Sequence, residues 1–261
     1  MKPRVAVHKF TSCDGCQLAF LNSGEALLTL TELVDLIHFA EAGPIELDAK
    51  VDIAFVEGSI STPDEEERIK KIRANSKYLI TIGACATSGG IQGLRNFADA
   101  NEWMAHVYAS PEYIKTLNTS TAIAHRVRVD WELWGCPVNG KQVLEAIRFI
   151  LSNATPRIKR DSECMECKRK GNVCVLVTKK QACMGPVTQT GCGSLCPSLG
   201  RGCYACYGPK ENANTHSLGH RFAEFGLDNT AITQKFMHIN NQAPAFNKAG
   251  QFFKGIKVIN E

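Results

Sequence analysis

The sequence lacks any apolar run long enough to span a membrane, which needs about 20 residues. It also lacks a strong charge of either sign, because 30 lysines and arginines against 26 aspartates and glutamates give a formal net charge of +4. No basic stripe is interleaved with aromatic residues, so the charge pattern argues against nucleic-acid binding. The chain opens at Met1 without the charged and apolar regions of a signal peptide. We therefore expect a cytoplasmic protein with no membrane span and with reduced cysteines.

Cysteine, in contrast, is abundant and unevenly placed. Eight of the twelve cysteines occupy one segment: Cys164, Cys167, Cys174, Cys183, Cys192, Cys196, Cys203 and Cys206. Charged residues and glycines separate them and large apolar residues are few, so the segment cannot bury enough apolar area to offset the entropy of its own ordering. Bonds between thiolates and metal would stabilise it instead, and eight thiolates match the ligand count of two 4Fe-4S clusters.

Three other interpretations compete with iron–sulfur clusters. Disulfides would require an oxidising compartment, to which nothing in the sequence directs the chain. Inert buried thiols are an implausible explanation for eight cysteines in one polar segment. Zinc stays open, as part of a zinc-stabilised interaction module. Structural zinc sites usually pair two C-x2-C steps, however, and only Cys164/Cys167 and Cys203/Cys206 have that step.

Before this segment, patterns typical of strands and helices alternate. Strands are predicted by apolar runs at Arg4–Phe10, Val51–Glu57, Tyr78–Ile82 and, in two pieces, Val127–Asp130 with Leu133–Trp134. Helices are predicted at Gln17–Ala40, with a break or late start at Asn22–Gly24, from the Ser61–Glu65 start signal to Asn75, and from Lys141 to Ser152. This order predicts an α/β fold with a parallel sheet, whose binding loops gather at the carboxyl ends of the strands.

The remaining four cysteines fall in the loops that follow predicted strands. Cys13 and Cys16 follow the first strand, Cys85 follows the third, and Cys136 follows the last. A free buried thiol is the alternative explanation for any one of them. Four such residues at one sheet edge predict a third cluster, and the twelve cysteines then form three sets of four.

A change of character after Ala154–Pro156 predicts a domain boundary. Residues 1–155 form the predicted sheet domain, and residues 156–261 form a smaller, irregular and helical domain with the eight clustered cysteines. Residues 211–261 have no cysteine and a mixed apolar pattern. We therefore predict that this last stretch includes helices.

Five motifs, taken together and in this order, resemble the small, electron-transferring subunit of nickel–iron hydrogenases. They are Cys13–Cys16 (CDGC), Val56–Ser59 (VEGS), Gly83–Ala86 (GACA) with Gly89–Gly90, Gly135–Pro137 (GCP), and Cys183–Thr188 (CMGPVT) with Cys192. The resemblance extends over essentially the full chain. It is nearest to the cytoplasmic branch of the family, of the NAD(P)-linked or sulfhydrogenase delta-subunit type.

The resemblance implies a flavodoxin-like first domain, three 4Fe-4S clusters and no catalytic residue on this chain. The proximal cluster would be bound by Cys13, Cys16, Cys85 and Cys136. The medial cluster would be bound by Cys192, Cys196, Cys203 and Cys206, and the distal cluster by Cys164, Cys167, Cys174 and Cys183. The nickel–iron site would belong to a separate large subunit.

Five positions depart from patterns found in the family. Cys164 stands where many members have a histidine, and a thiolate there should lower the potential of the distal cluster. Cys196 stands where several relatives have proline and a three-iron cluster, so four irons are expected. Gly15 and Gly90 occupy the positions of two additional cysteines in oxygen-tolerant relatives, so we expect an ordinary cubane without that tolerance. Ser12 replaces a glutamate that often precedes the first proximal cysteine, which leaves a proton-transfer role of this loop without support.

The resemblance also implies partners. We expect electrons to pass between the large subunit and an NAD(P)-reducing flavoprotein, with diaphorase-type subunits that carry flavin and iron–sulfur clusters. A hydrogenase that feeds heterodisulfide reductase or a deazaflavin is the alternative within the family. A respiratory complex I subunit shares the proximal-cluster fold, but it has one cluster, so the segment from Cys164 to Cys206 argues against that assignment.

Overall fold

The computed structural model describes residues 2–43, 45–158 and 160–255. The chain divides into two compact units, Met1–Arg157 and Ile158–Glu261. Residues 256–261, which belong to the predicted second domain, lie outside the described residues. Within the described ranges, no helix is long and apolar enough to cross a lipid bilayer.

The first unit is built on a parallel sheet of five strands. These strands are β1 (Arg4–Lys9), β2 (Asp35–Phe39), β3 (Val51–Glu57), β4 (Ser76–Ile82) and β5 (Trp131–Leu133). Every neighbouring pair is parallel, and the order across the sheet is β2-β1-β3-β4-β5. This is the flavodoxin-like strand order, so the fold class predicted from the sequence is confirmed.

Six helices accompany the sheet. They are α1 (Gly15–Leu21), α2 (Glu25–Leu33), α3 (Pro63–Asn75), α4 (Gly83–Ser88), α5 (Ala100–Val107) and α6 (Gly140–Leu151). The start of α3 is a complete capping box, because the Thr62 side chain accepts from the amide of Glu65 and the Glu65 carboxylate accepts from the amide of Thr62. Pro63 then takes the first helical turn, where its missing N–H costs nothing.

Two sequence-based assignments in the first unit are wrong in part. The predicted helix Gln17–Ala40 is two helices broken at Asn22–Gly24, as anticipated, but its last residues form β2 instead. The apolar spacing there fits a helix, and parallel pairing with β1 overrides it by satisfying the backbone groups. The predicted strand at Val127–Asp130 is irregular, and only Trp131–Leu133 pairs with β4.

The core of the first unit lies against both faces of the sheet. Six of the seven residues of β3 are buried, as expected for a central parallel strand. On one side the rings of Phe20 and Phe39 stack with centroids 5.6 Å apart, and Phe55 lies 6.2 Å from Phe20. On the other side, Ile69 and Ile72 of α3 pack among the buried residues of the sheet.

The second unit has six helices. They are α7 (Glu163–Arg169), α8 (Val175–Thr178), α9 (Leu195–Ser198), α10 (Thr215–Glu224), α11 (Asn229–Phe236) and α12 (Pro244–Phe253). The last three confirm the helices predicted after residue 211. Their core includes Phe236 in contact with Phe246 and Phe253, at centroid distances of 6.0 and 6.1 Å. The cysteine-rich segment before them holds only short helices.

Two histidines are buried in the edge of the sheet. His8 of β1 and His38 of β2 are 4% and 3% exposed, and their rings stack with centroids 4.6 Å apart. The pKa of His8 is lowered from 6.5 to about 3, chiefly by burial and to a smaller extent by His38 and Arg68. Between pH 6.5 and about 3, this imidazole is therefore neutral in the folded chain and protonated in the unfolded chain.

Acid should destabilise the first unit through His8. Between pH 6.5 and 3, His8 is protonated in the unfolded chain but not in the folded chain. The free energy of unfolding is therefore unaffected by His8 above pH 6.5 and decreases as the pH drops below that value. At pH 5 the loss is about 2 kcal/mol. The substitution His8→Gln should remove this part of the loss between pH 7 and 5. Urea titrations followed by tryptophan fluorescence measure it, since Trp103, Trp131 and Trp134 all lie in this unit.

The matched control for this prediction is His125→Gln. His125 is an exposed histidine of the same unit, so its substitution should leave the pH dependence unchanged. An equal pH dependence in the His8→Gln variant and the wild type would contradict the prediction.

Candidate metal centres

Four cysteines lie at the carboxyl edge of the sheet. We call Cys13, Cys16, Cys85 and Cys136 the sheet-edge cysteines. Cys13 and Cys16 follow β1, Cys85 lies in α4 directly after β4, and Cys136 follows β5. The structure brings them into mutual electrostatic contact, because the thiol of Cys85 interacts with those of Cys13 and Cys136, and the thiol of Cys16 interacts with those of Cys85 and Cys136.

Burial opposes the ionisation of three of these thiols, those of Cys16, Cys85 and Cys136. The pKa of Cys85 is raised to about 12, chiefly by burial and to a smaller extent by the neighbouring thiols and Glu57. Burial likewise raises the pKa of Cys16 and of Cys136. A bound cation would instead favour the deprotonated thiolates, because metal ligation replaces the proton of each thiol. The site is therefore suited to metal and unsuited to free thiolates.

Glycines allow the backbone to approach the sulfur atoms. A Cβ on Gly83 would collide with the Sγ of Cys16, and a Cβ on Gly90 would lie 2.6 Å from the Sγ of Cys85. At Gly15 the added atom would lie 3.3 Å from the Sγ of Cys13. Gly83 and Gly90 also have φ values of +86° and +59°, which side chains rarely adopt. Both the conformation and the space thus require glycine at these two positions.

Polar groups hold the sheet-edge loops in place. The carboxylate of Glu57, at the end of β3, accepts a hydrogen bond of 2.7 Å from the amide of Gln17. The amide of Val138 donates to the Sγ of Cys16 over 3.5 Å. The Sγ of Cys85 donates to the Oε1 of Gln92 over 3.0 Å. Sequence reasoning missed Gln92 because no motif marks it.

A second set of four cysteines surrounds the start of α7 and the residues after it. We call Cys164, Cys167, Cys174 and Cys183 the α7 cysteines. The thiol of Cys164 interacts electrostatically with those of the other three, and burial is the largest cause of its raised pKa. The added Cβ of Gly185 would lie 3.5 Å from the sulfurs of both Cys164 and Cys183. The structure therefore brings these cysteines together around Gly185, which has no side chain to occupy the space between their sulfurs.

A third set, the α9 cysteines, is only partly brought together. It comprises Cys192, Cys196, Cys203 and Cys206. The thiols of Cys203 and Cys206 interact, and the amide of Ala205 donates to the Sγ of Cys203 over 3.4 Å. The amide of Cys203 in turn donates to the Sγ of Cys183 over 3.2 Å, which links the third set to the second.

Cys192 lies beside two carboxylates that sequence reasoning missed. One ligand atom each of Glu163, Glu166 and Cys192 lie within 4.8 Å of one another. Glu163 is 1% exposed, and burial together with Glu166 raises its pKa to about 7. The spacing of the two glutamates on one face of α7 was the available signal. The carboxylate of Glu166 also accepts a hydrogen bond of 2.9 Å from the amide of Gly193, and this bond holds the loop that carries Cys192.

The cysteine geometry discriminates among the chemistries considered for this chain. All twelve cysteines are free thiols, so the disulfide alternative is wrong. A tetrahedral zinc with bonds of about 2.3 Å requires sulfurs roughly 3.8 Å apart. Among the described residues, no three cysteine sulfurs lie within 4.8 Å of one another. The described cysteine sulfurs therefore do not have the spacing of a tetrahedral zinc site built from three or four cysteines.

Sequence comparison associates the chain with known proteins. Residues 13–150 match the family described as NADH ubiquinone oxidoreductase, 20 Kd subunit. This stretch contains all four sheet-edge cysteines and ends before the cysteine-rich segment.

Individual relatives extend further along the chain. The delta subunit of sulfhydrogenase 2 from Pyrococcus furiosus is 34% identical over 215 residues, covering 82% of this chain and 90% of the relative. One subunit of the F420-non-reducing hydrogenase vhu from Methanocaldococcus jannaschii is 27% identical over 245 residues, covering 80% and 83%. The delta subunit of the NAD-reducing hydrogenase HoxS from Cupriavidus necator is 29% identical over 162 residues, covering 56% and 77%.

Gly90→Ala should lower the metal content of the chain. The added Cβ would displace the Sγ of Cys85, so we expect roughly four fewer irons per chain, the complement of one 4Fe-4S cluster. Iron and acid-labile sulfide in the purified protein measure the effect.

Gly24→Ala is the matched control. Gly24 has the same φ of +59°, with nothing within 4 Å of the added Cβ. The two glycines share a positive φ with a strongly negative ψ, where a side chain costs about 1–3 kcal/mol, and only Gly90→Ala moves a thiol. Equal iron content in the two variants would show that the contact with Cys85 is unimportant.

Proposed function

The chain belongs to the small-subunit family of nickel–iron hydrogenases, and from this premise we propose that it carries electrons through three 4Fe-4S clusters. The electrons would pass between a large subunit that holds the nickel–iron site and an NAD(P)-reducing flavoprotein. Family membership is supported by the sulfhydrogenase relative and by the match of residues 13–150. The chain itself would then carry no catalytic residue.

The ligand assignment follows the three sets of cysteines. We assign the sheet-edge cysteines to the proximal cluster, the α7 cysteines to the distal cluster and the α9 cysteines to the medial cluster. Mutual electrostatic contact supports the first two sets directly. The third is supported by the Cys203–Cys206 interaction and by the hydrogen bond that joins it to the second.

The observation that carries the proposal is the packing of glycine backbone against buried cysteine sulfur at the sheet edge. When bound, each cluster supplies one-electron redox chemistry. The chain contributes the rest: cysteines that ligate once their protons are lost, small residues that exclude water without occupying the site, and backbone amides aimed at sulfur. The amides of Val138 and Ala205 illustrate the last role, because donors to ligand sulfur stabilise the more negative reduced state.

Zinc is disfavoured as the bound metal by the spacing of the cysteine sulfurs. The choice of electron acceptor rests on the relatives. The HoxS relative, described as NAD-reducing, supports a nicotinamide acceptor. The second candidate is a hydrogenase that feeds heterodisulfide reductase or a deazaflavin. The vhu relative covers more of the chain and is described as F420-non-reducing, and because F420 is a deazaflavin, this relative favours the heterodisulfide reductase branch of that candidate over the deazaflavin branch.

Metal analysis tests the number of clusters. The purified native protein should contain about twelve irons and about twelve acid-labile sulfides per chain, since three cubanes hold four of each. About eleven irons would instead indicate a three-iron medial cluster. Zinc without sulfide would contradict the proposal as a whole.

Purification of the native complex tests the acceptor. We expect a large subunit, flavin-containing partners and hydrogen-dependent reduction of NAD(P) in the same preparation. Absence of flavin together with absence of this activity would rule out the nicotinamide acceptor. Co-purification with heterodisulfide reductase, or hydrogen-dependent reduction of a deazaflavin, would establish the second candidate.

A further inference from the structure

A cavity of about 390 Å³ lies in the first unit at the carboxyl ends of β1 and β2. It is lined by residues of β1 and the position after it, of β2, of the following loop and of α3, and no cysteine lines it. The volume is within the range of small-molecule sites. The cavity is therefore separate from the sheet-edge cysteines.

Two imidazoles form one wall of the cavity. His8 and His38 both line it, although each is more than nine-tenths buried. Among the residues that the structure describes, the Nδ1 of His38 has no hydrogen-bond partner. Burial also lowers the pKa of both histidines, so both are neutral at physiological pH. Buried polar groups without partners cost free energy, and a ligand that bonded the imidazoles would recover it.

Arg68 of α3 brings a charge to the same cavity. Its guanidinium donates to the carbonyl oxygen of Lys9 and lies 4.2 Å from the centre of the Phe10 ring. Within the described ranges, Arg68 forms no salt bridge and its Nε has no partner. A partly buried guanidinium without an ion pair is costly, and an anion in the cavity would compensate it.

The other two charged residues at the cavity are already engaged. The ammonium of Lys9 pairs with Asp14 at 2.8 Å and with Glu41 at 3.0 Å. The carboxylate of Glu65 accepts from the amides of Ser61 and Thr62 and from the Thr11 hydroxyl. Glu65 also attracts Arg68 electrostatically, but within the described residues no salt bridge joins the two side chains, so the guanidinium keeps N–H donors for an anion.

Apolar side chains form another part of the cavity wall. Ile45 and Leu47 line the cavity and are 68% and 50% exposed, and Phe10 and Ala40 complete the wall. A bare inorganic anion would leave this apolar surface in water, whereas a ligand with an apolar body would cover it. We propose that the cavity binds a small organic anion, a carboxylate or a phosphate ester, with its oxygens at Arg68 and the imidazoles and its apolar body against Ile45 and Leu47.

Calorimetric titration of the complex that contains this chain tests the proposal. The probes are benzoate, phenyl phosphate, inorganic phosphate and neutral benzyl alcohol. We expect at least one aromatic anion to bind about tenfold more tightly than both inorganic phosphate and benzyl alcohol. The comparison of benzoate with phenyl phosphate identifies the head group. If neither aromatic anion binds, or if benzyl alcohol or inorganic phosphate binds as tightly, the proposal is wrong.

Two pairs of variants locate the site. Arg68→Gln should weaken binding of the aromatic anion about tenfold, while Lys71→Gln, an equal charge change at an exposed position of the same helix, should not. Leu47→Glu and Leu47→Lys remove the same apolar contact from an exposed loop but add opposite charges. Leu47→Glu should bind the anion more weakly than Leu47→Lys, a comparison that holds even if Arg68→Gln fails to fold. Equal affinity in the two Leu47 variants would overturn the placement.

Discussion

The first unit depends on the close approach of backbone to side chain at the carboxyl edge of the sheet. At the end of β4, Gly83 leaves room for the Sγ of Cys16, and at the end of β3 a Cβ on Gly58 would lie 2.6 Å from the backbone of Phe10. Both glycines have positive φ, so conformation and space require the same residue. Since the two strands are neighbours in the sheet, these positions fix where the loop from β1 can run. The sheet edge is thereby shaped around the cysteine sulfurs.

The second constraint is the cost of ionising buried cysteines, which metal binding would offset. Its importance for folding differs between the two units. In the first unit, burial and mutual repulsion oppose ionisation of Cys16 and Cys85, next to the buried carboxylate of Glu57, and only a cation can offset that cost. The sheet has an extensive apolar core, so this coupling is local. In the second unit, the aromatic core comes from α10, α11 and α12, and the cysteine-rich segment before it has only short helices. In the proposed metal-bound protein, metal would therefore contribute more to the folding of that segment than to the folding of the sheet.

The parts that sequence reasoning predicts well are those fixed by local chemistry. Helix α3 begins and ends where predicted, because the Thr62–Glu65 capping box and Pro63 determine its start without reference to the rest of the chain. Residues Asp35–Phe39 could not be assigned in this way, since their strand exists through pairing with β1. The positions of the sheet-edge cysteines follow from strand order alone. Gln92 does not, because its contact with Cys85 depends on the path of an irregular segment.

Residues 13–150 are the part of this chain that matches the 20 Kd subunit family, and they contain the sheet-edge cysteines but none of the other eight. The sheet edge is therefore the shared element, and what distinguishes this chain lies in the second unit. In the distal cluster that we propose there, Cys164 would bring a thiolate, whereas a histidine at that position would bring a neutral ring. Each added negative charge makes the reduced state of a cluster harder to reach. Four thiolate ligands would therefore give the proposed distal cluster a low potential, which would suit a strongly reducing acceptor better than a quinone.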